Sequence, residues 1–323
     1  MTVARITLTA LTTCVVALAP DLACGQNFPS KPLRMITDEA GGSTDLTARL
    51  IAKGISTSMG QPVIVDNRGG AGGVIAGETL MKAPPDGYTM LFSASALWIG
   101  PLLQTKTPYD PLKDFAPVTF ATRSPMVIVV HPSVAVTSVP ELIALAKAKP
   151  DSLNYGSGNT GSSSHLGVEL FKSMASISLV RVPYKGLAPG ITALLANQVQ
   201  VMIPTATSVA AHIKSNRLRA LAVTSAQPSA LAPGLPTVAS FGLPGYEVIS
   251  TLGMFAPAKT PASLINYLNR EIVSFLTKHE VRENFLSIGV ETVGSSPDEL
   301  SAKMKSEIAR VGKLINDAGI KAN

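Results

Sequence analysis

From Leu33 onward the chain alternates short apolar runs with amphipathic stretches. LRMIT (33–37) reads as a strand. STDLTARLIAKGISTSMG (43–60) puts Leu46, Leu50, Ile51 and Ile55 on one helical face and stops at Gly60, the pattern of a helix with one buried stripe. VIVDN (63–67) is a strand, VIAGETLMKA (74–83) a helix, and YTMLFSA (88–94) a strand again. This β-α-β-α-β order predicts a parallel sheet with helices on both faces. The pattern restarts after Pro125. MVIVVHP (126–132), LNYGS (153–157), LVRVPY (179–184), VQVMIPT (199–205) and LRALAVTS (218–225) read as strands. Between them lie helical stretches at 139–150, 161–175, 187–198 and 208–216.

Residues 226–246, AQPSALAPGLPTVASFGLPGY, are rich in Pro, Gly, Ser and Ala, and read as a long connection over the surface. One strand, EVISTLGMFAP (247–257), and three helices, at 261–278, 280–289 and 297–319, close the chain. They make a poor third domain and are better used to complete the first. The prediction is an α/β protein of two lobes, each a mainly parallel sheet flanked by helices. Lobe 1 takes residues 26–125 and 227–323, and lobe 2 takes 126–226. Two chain crossings, near 122–127 and 225–228, make a hinge with a cleft between the lobes.

The N-terminus removes part of the chain from this picture. Arg5 precedes a short apolar run, ITLTALTTCVVALA, followed by Pro20, Asp21 and the small residues ACG. That is the grammar of a secretory signal peptide, 1–25, leaving Gln26 as the mature start. Cys24 in LAC could instead be a lipoprotein cysteine, but Asp21 stands where an apolar residue belongs. With the leader go Cys14 and Cys24, the chain's two cysteines, and with them any disulfide, thiol nucleophile or thiolate metal site. No later segment is long and apolar enough to span a bilayer. The formal charge is +6, but the basic residues are dispersed and aromatics are few, which argues against nucleic-acid binding. The expectation is a periplasmic protein.

Three Gly-rich turns follow strands and precede helices: DEAGGSTD (38–45), NRGGAGG (67–73) and GSGNTGSSSH (156–165). Each offers backbone N–H groups at a helix start, where dipole and geometry favour an anion. The third contains G-x-G-x-x-G, but the next strand ends in Arg181 and Lys185 and supplies no carboxylate for a ribose, so the motif is only weak evidence for a dinucleotide. There is no G-x-S-x-G elbow, and His165, close to Ser162 and Ser163, lacks an orienting acid. Its plain alternative is packing or hydrogen bonding in the first turn of a helix. No His spacing suits a metal. No cofactor is expected. Asp45 and Ser43 could likewise serve only as helix caps.

QNFPSKPLRMI, GGSTDLTARLIA, GQPVIVDNRGGAGG, APPDGYTML, LNYGSGNTGSSSHLGVELFKSMA, VPYKG and FAPAKTP together resemble the Bug family, the TctC-like extracytoplasmic receptors of tripartite tricarboxylate transporters. The resemblance runs in order over essentially all of the mature chain. It implies a type II periplasmic-binding-protein fold without catalytic activity, and capture of a small carboxylate between lobes for delivery to membrane permease subunits. An exported sensor presenting its ligand to a membrane regulator could use the same clamp. A monomer is expected. The implied ligand-binding residues are Glu39, Ala40, Gly41, Gly42, Ser43, Thr44 and Asp45 on one lobe, and Ser157, Asn159, Thr160, Gly161, Ser162 and Ser163 on the other, with Thr205 added from a third position. There, many members carry an acid after the strand that reads VQVMIPT. The family's PFPPGG is here TDEAGG. Asp38 and Glu39 are thus two acids beside an anion-binding loop. Either both face solvent, or Glu39 lines the cleft and disfavours a second ligand carboxylate by roughly 1–4 kcal/mol. The second reading favours an organic acid with a donor or cationic far end, such as an amino acid or amide.

Overall fold

The computed structural model describes residues 28–38, 40, 43–70, 73–104 and 106–317; the leader and Gln26 lie outside the described residues. The first run of elements is β1 (Leu33–Thr37), α1 (Ser43–Met59), β2 (Val63–Asn67), α2 (Val74–Met81), β3 (Thr89–Ala94), α3 (Ala96–Ile99) and β4 (Phe115–Pro125). The second is β5 (Val127–Val130), α4 (Val139–Ala148), β6 (Asn154–Ser157), α5 (Ser163–Ala175), β7 (Val180–Pro183), α6 (Leu187–Leu195), β8 (Val201–Met202), α7 (Ala206–Lys214) and β9 (Arg219–Val223). The third is β10 (Ile249–Pro257), α8 (Ala262–Leu276), α9 (His279–Ser287), β11 (Glu291–Thr292) and α10 (Pro297–Asp317).

Two sheets result. One has the order β11-β4-β10-β3-β1-β2, the other β7-β6-β8-β5-β9. Their apolar faces are covered on both sides. Met35, Ile51, Met90 and Leu268 belong to the core on one face of the first sheet, and Leu91, Trp98, Phe255 and Leu300 to the core on the other. In the second sheet Tyr155 and Phe171 anchor one core, and Val129, Leu194 and Val209 the other.

The sheets are mixed rather than mainly parallel. β1 runs parallel to β2 and β3, and β6 to β7 and β8. β10 is antiparallel to β3 and β4, and β5 to β8 and β9. β5 and β10 are the strands the chain enters on crossing from one sheet to the other, and they run opposite in sense to the neighbouring strands β8 and β3.

Three further expectations are corrected. Leu46 is 49% exposed, and the buried stripe of α1 is Ala48, Ile51, Ala52, Ile55 and Met59; Leu46 sits two residues, about 200°, around the helix from Ala48. β4, eleven residues long, has no counterpart in the apolar pattern. Pro117, Thr119, Thr122 and Ser124 interrupt it, yet Thr119 and Ser124 are buried by donating to the Ser295 and Gly289 carbonyls at 2.7 and 3.0 Å. Finally, the end of the Pro/Gly-rich connection is core. Val238, Leu243, Tyr246 and Val248 pack with the second sheet, and the Tyr246 hydroxyl donates to the Gly167 carbonyl at 2.9 Å. Residues up to Val248 thus pack with the second sheet, and β10 of the first sheet begins at Ile249. Prolines break the periodicity of such a stretch without preventing single side chains from anchoring it.

Candidate functional site

A cavity of about 940 Å³ opens between the two sheets. It lies at the carboxyl ends of β1, β3 and β6, as expected for ligand sites of α/β sheets. Five helix starts reach its wall: Thr44 of α1, Gly73 before α2, Ser162 before α5, Gly186 before α6 and Thr205 before α7. Each first turn has N–H groups without intrahelical partners and the positive end of a helix dipole. Lys185 and His212 also line the cavity, and Asp38 is the single acid among its described lining residues. The balance favours an anion.

The wall formed by the loop before α5 is internally wired. Ser162, with extended backbone (φ −66°, ψ 155°), caps α5 by accepting from the His165 N–H. Its Oγ lies 3.0 Å from Ser164 Oγ, which accepts from the Gly158 N–H at 2.9 Å. Behind the loop, Arg181 donates from Nε to Ser157 Oγ at 2.9 Å, from Nη1 to Thr160 Oγ1 at 3.2 Å and from Nη2 to the Gly158 carbonyl at 3.3 Å. The Gly161 N–H donates to His165 Nδ1 at 3.2 Å. Burial, reinforced by the Arg181 charge, lowers the His165 pKa from 6.5 to about 4. The ring is neutral at physiological pH and serves as a loop acceptor. Gly161 has φ +83°, and a Cβ there would lie 3.4 Å from Leu103 and 3.5 Å from the Gly100 backbone, so this position brings the two sheets' loops into contact. Across the cleft, Ser95 Oγ and Ser163 Oγ stand 3.5 Å apart.

The opposite wall centres on Asp38, which accepts from the buried Ser93 hydroxyl at 3.2 and 3.4 Å. Asn67 Nδ2 joins this corner to α1, donating to the Asp38 carbonyl at 3.2 Å and to Asp45 Oδ1 at 2.9 Å. Arg49 pairs with the same Asp45 oxygen at 3.0 Å. Asp45 thus fastens the start of α1 to β2 and is absent from the cavity wall.

Of the residues named from sequence, Ala40, Thr44, Asn159, Ser162, Ser163 and Thr205 line the cavity. Ser157, Thr160, Gly161 and Asp45 stand behind or beside it, holding its walls. Ser43 opens α1; Glu39, Gly41 and Gly42 lie outside the described residues. Sequence reasoning passed over Ser95, His212 and the α6 start. Ser95 directly follows β3, so the same rule of strand ends could have found it. Of the paired acids it chose Glu39, whereas the described acid in the wall is Asp38. Among the described residues no His, Cys, Asp and Glu cluster could hold a metal ion, and no helix is long and apolar enough to cross a membrane.

Two α/β units joined by two crossings, with helix starts converging on a polar cleft, define a solute-binding protein. Residues 47–320 match the family described as the tripartite tricarboxylate transporter family receptor, TctC. The chain belongs to this family, whose members are periplasmic solute-binding receptors and not enzymes. It is 36% identical to protein BugT of Bordetella pertussis over 297 residues, covering 91% of each chain. An R. palustris protein solved with adipate superposes with a TM-score of 0.84 at 36% identity, covering 91% of this chain and 99% of that one. MatC from Rhodopseudomonas palustris, with bound malate, gives 0.80 at 27% identity, covering 89% of this chain and 100% of that one.

Proposed function

We propose that this receptor captures a small organic carboxylate in the cavity and hands it to a tripartite tricarboxylate-type permease. It acts in the periplasm after removal of residues 1–25. Its two units work as lobes, residues 26–125 with 249–323, and 126–248. The observation that carries the reading is the convergence of five helix starts, Lys185 and the hydroxyls of Ser95, Ser162 and Ser163 on one cavity. Ser163 and Ser95, close across the cleft, suit a carboxylate shared between the lobes. The relatives solved with adipate and malate are consistent with that ligand class. Because both walls come from one chain, a monomer suffices. The test is a thermal-shift and calorimetric screen of mono- and dicarboxylates, adipate and malate included. A ligand at a hundredfold excess over its Kd would stabilise the chain by about 2.7 kcal/mol. No response to any carboxylate would refute the reading.

A further inference from the structure

The cavity is not uniformly suited to anions. Its α5, α6 and α7 walls present helix starts and Lys185. Its α2 corner already contains a carboxylate. A Cβ added at Gly73, the residue before α2, would lie 3.3 Å from Asp38 Oδ1, so the acid stands against the start of that helix. The helix dipole there is answered by the chain itself. A ligand carboxylate brought to the same corner would meet a like charge. Asp38 is also held in place, by the Ser93 hydroxyl. A carboxylate offers about four acceptor positions, so a fixed one in a cavity wall can also accept from a ligand.

Resting on the receptor reading above, we infer that the ligand is two-ended: its carboxylate lies against the α5 start, and an ammonium, amide or other hydrogen-bond donor pairs with Asp38. Ser93 holds Asp38, and Ser95, two residues on, faces Ser163 of the opposite wall, so the two recognition points lie close along one side of the cavity and suit a short chain with unlike ends. The class is therefore an ω-amino or ω-amido acid rather than a dicarboxylate.

The test is calorimetry on the full chain with two length-matched pairs, glutarate against 5-aminovalerate and adipate against 6-aminohexanoate. The amino acid should bind at least about tenfold tighter than its dicarboxylate partner, the scale of one charge-assisted hydrogen bond. Asp38→Asn keeps the shape and removes the charge, and should erase or invert that preference. If Asp38→Asn fails to fold, Ser93→Ala, which releases Asp38 from its holder, should still reduce the preference severalfold. Dicarboxylates binding tighter than amino acids to the native chain would overturn the inference and leave the receptor reading standing. So would a preference unaltered in the variant. Silence from all four compounds and from malate would overturn both.

Discussion

The two walls of the cleft are built on different plans. The α5 wall is a loop tied to itself: one half-buried guanidinium, one neutral imidazole and three seryl hydroxyls hold it. The opposite wall is held by acids, Asp38 on Ser93 and Asp45 on Asn67 and Arg49. A positive wall wired by its own side chains faces one that carries fixed negative charge. On the inference drawn above, such a cavity orients its ligand as well as capturing it.

The strongest way to break this arrangement is to stop the walls from facing each other. Gly289, at the end of α9, has φ +74°, and a Cβ there would run into the Thr207 side chain at the start of α7. Gly289→Ala combines a left-handed alanine with an overpacked contact, and should cost about 3 kcal/mol. The melting temperature and ligand affinity should fall together. Thr207→Ala, which deletes the crowding γ carbon, should return part of both. An unchanged melting curve would show that the units do not meet there.

A second test acts on the α5 wall alone. His165 has a folded pKa of about 4 against 6.5 unfolded. Below pH 6.5 the unfolded chain binds the proton first, so stability falls as pH drops toward 4 and is fully present above 6.5. Arg181 and Lys172 reinforce the depression, and Glu169 opposes it. Urea unfolding at pH 7.5 and pH 5 should differ by about 2 kcal/mol from this group. His165→Gln, which keeps an acceptor but cannot titrate, should remove that part of the slope. An identical slope in the variant would assign it elsewhere.

Ser162→Ala removes the cap of α5 and should cost about 1 kcal/mol of stability, with a loss of affinity for every carboxylate alike. Ser93→Ala, on the other wall, should instead change which ligand is preferred. If Ser162→Ala also shifted selectivity, the division of labour between the walls would be wrong.

Much of the fold is legible in the sequence wherever a local period exists. Ile51 and Ile55 mark the stripe of α1, and VIVDN and YTMLFSA are strands within a residue or so of β2 and β3. What escapes is decided at long range. β4 hides its place in the middle of a sheet behind threonines whose hydroxyls find partners far away in the chain, such as Ser295. Tyr246 is core because it reaches Gly167, which no pattern around it reveals. The site divides in the same way. Glycine loops after strands point to the cavity through backbone rules that any sequence displays. Thr160 reads as a wall hydroxyl, but the sequence cannot tell that Arg181, 21 residues on, will take it as a partner. Nor can it tell that Asp38 stands in the cavity wall beside the start of α2.

Thr224 joins the two passages of the chain between the sheets. Its backbone N–H and its hydroxyl both reach the Met126 carbonyl, at 2.9 Å each, its hydroxyl also reaches the Val248 carbonyl at 2.6 Å, and its own carbonyl accepts from the Val248 N–H at 2.9 Å. One residue thus bolts the outgoing and returning passages of the chain together. For the lobes proposed above, two tethers fastened side by side act like the pins of a door and leave one swing, so a molecule held on one wall would meet the other along a single path.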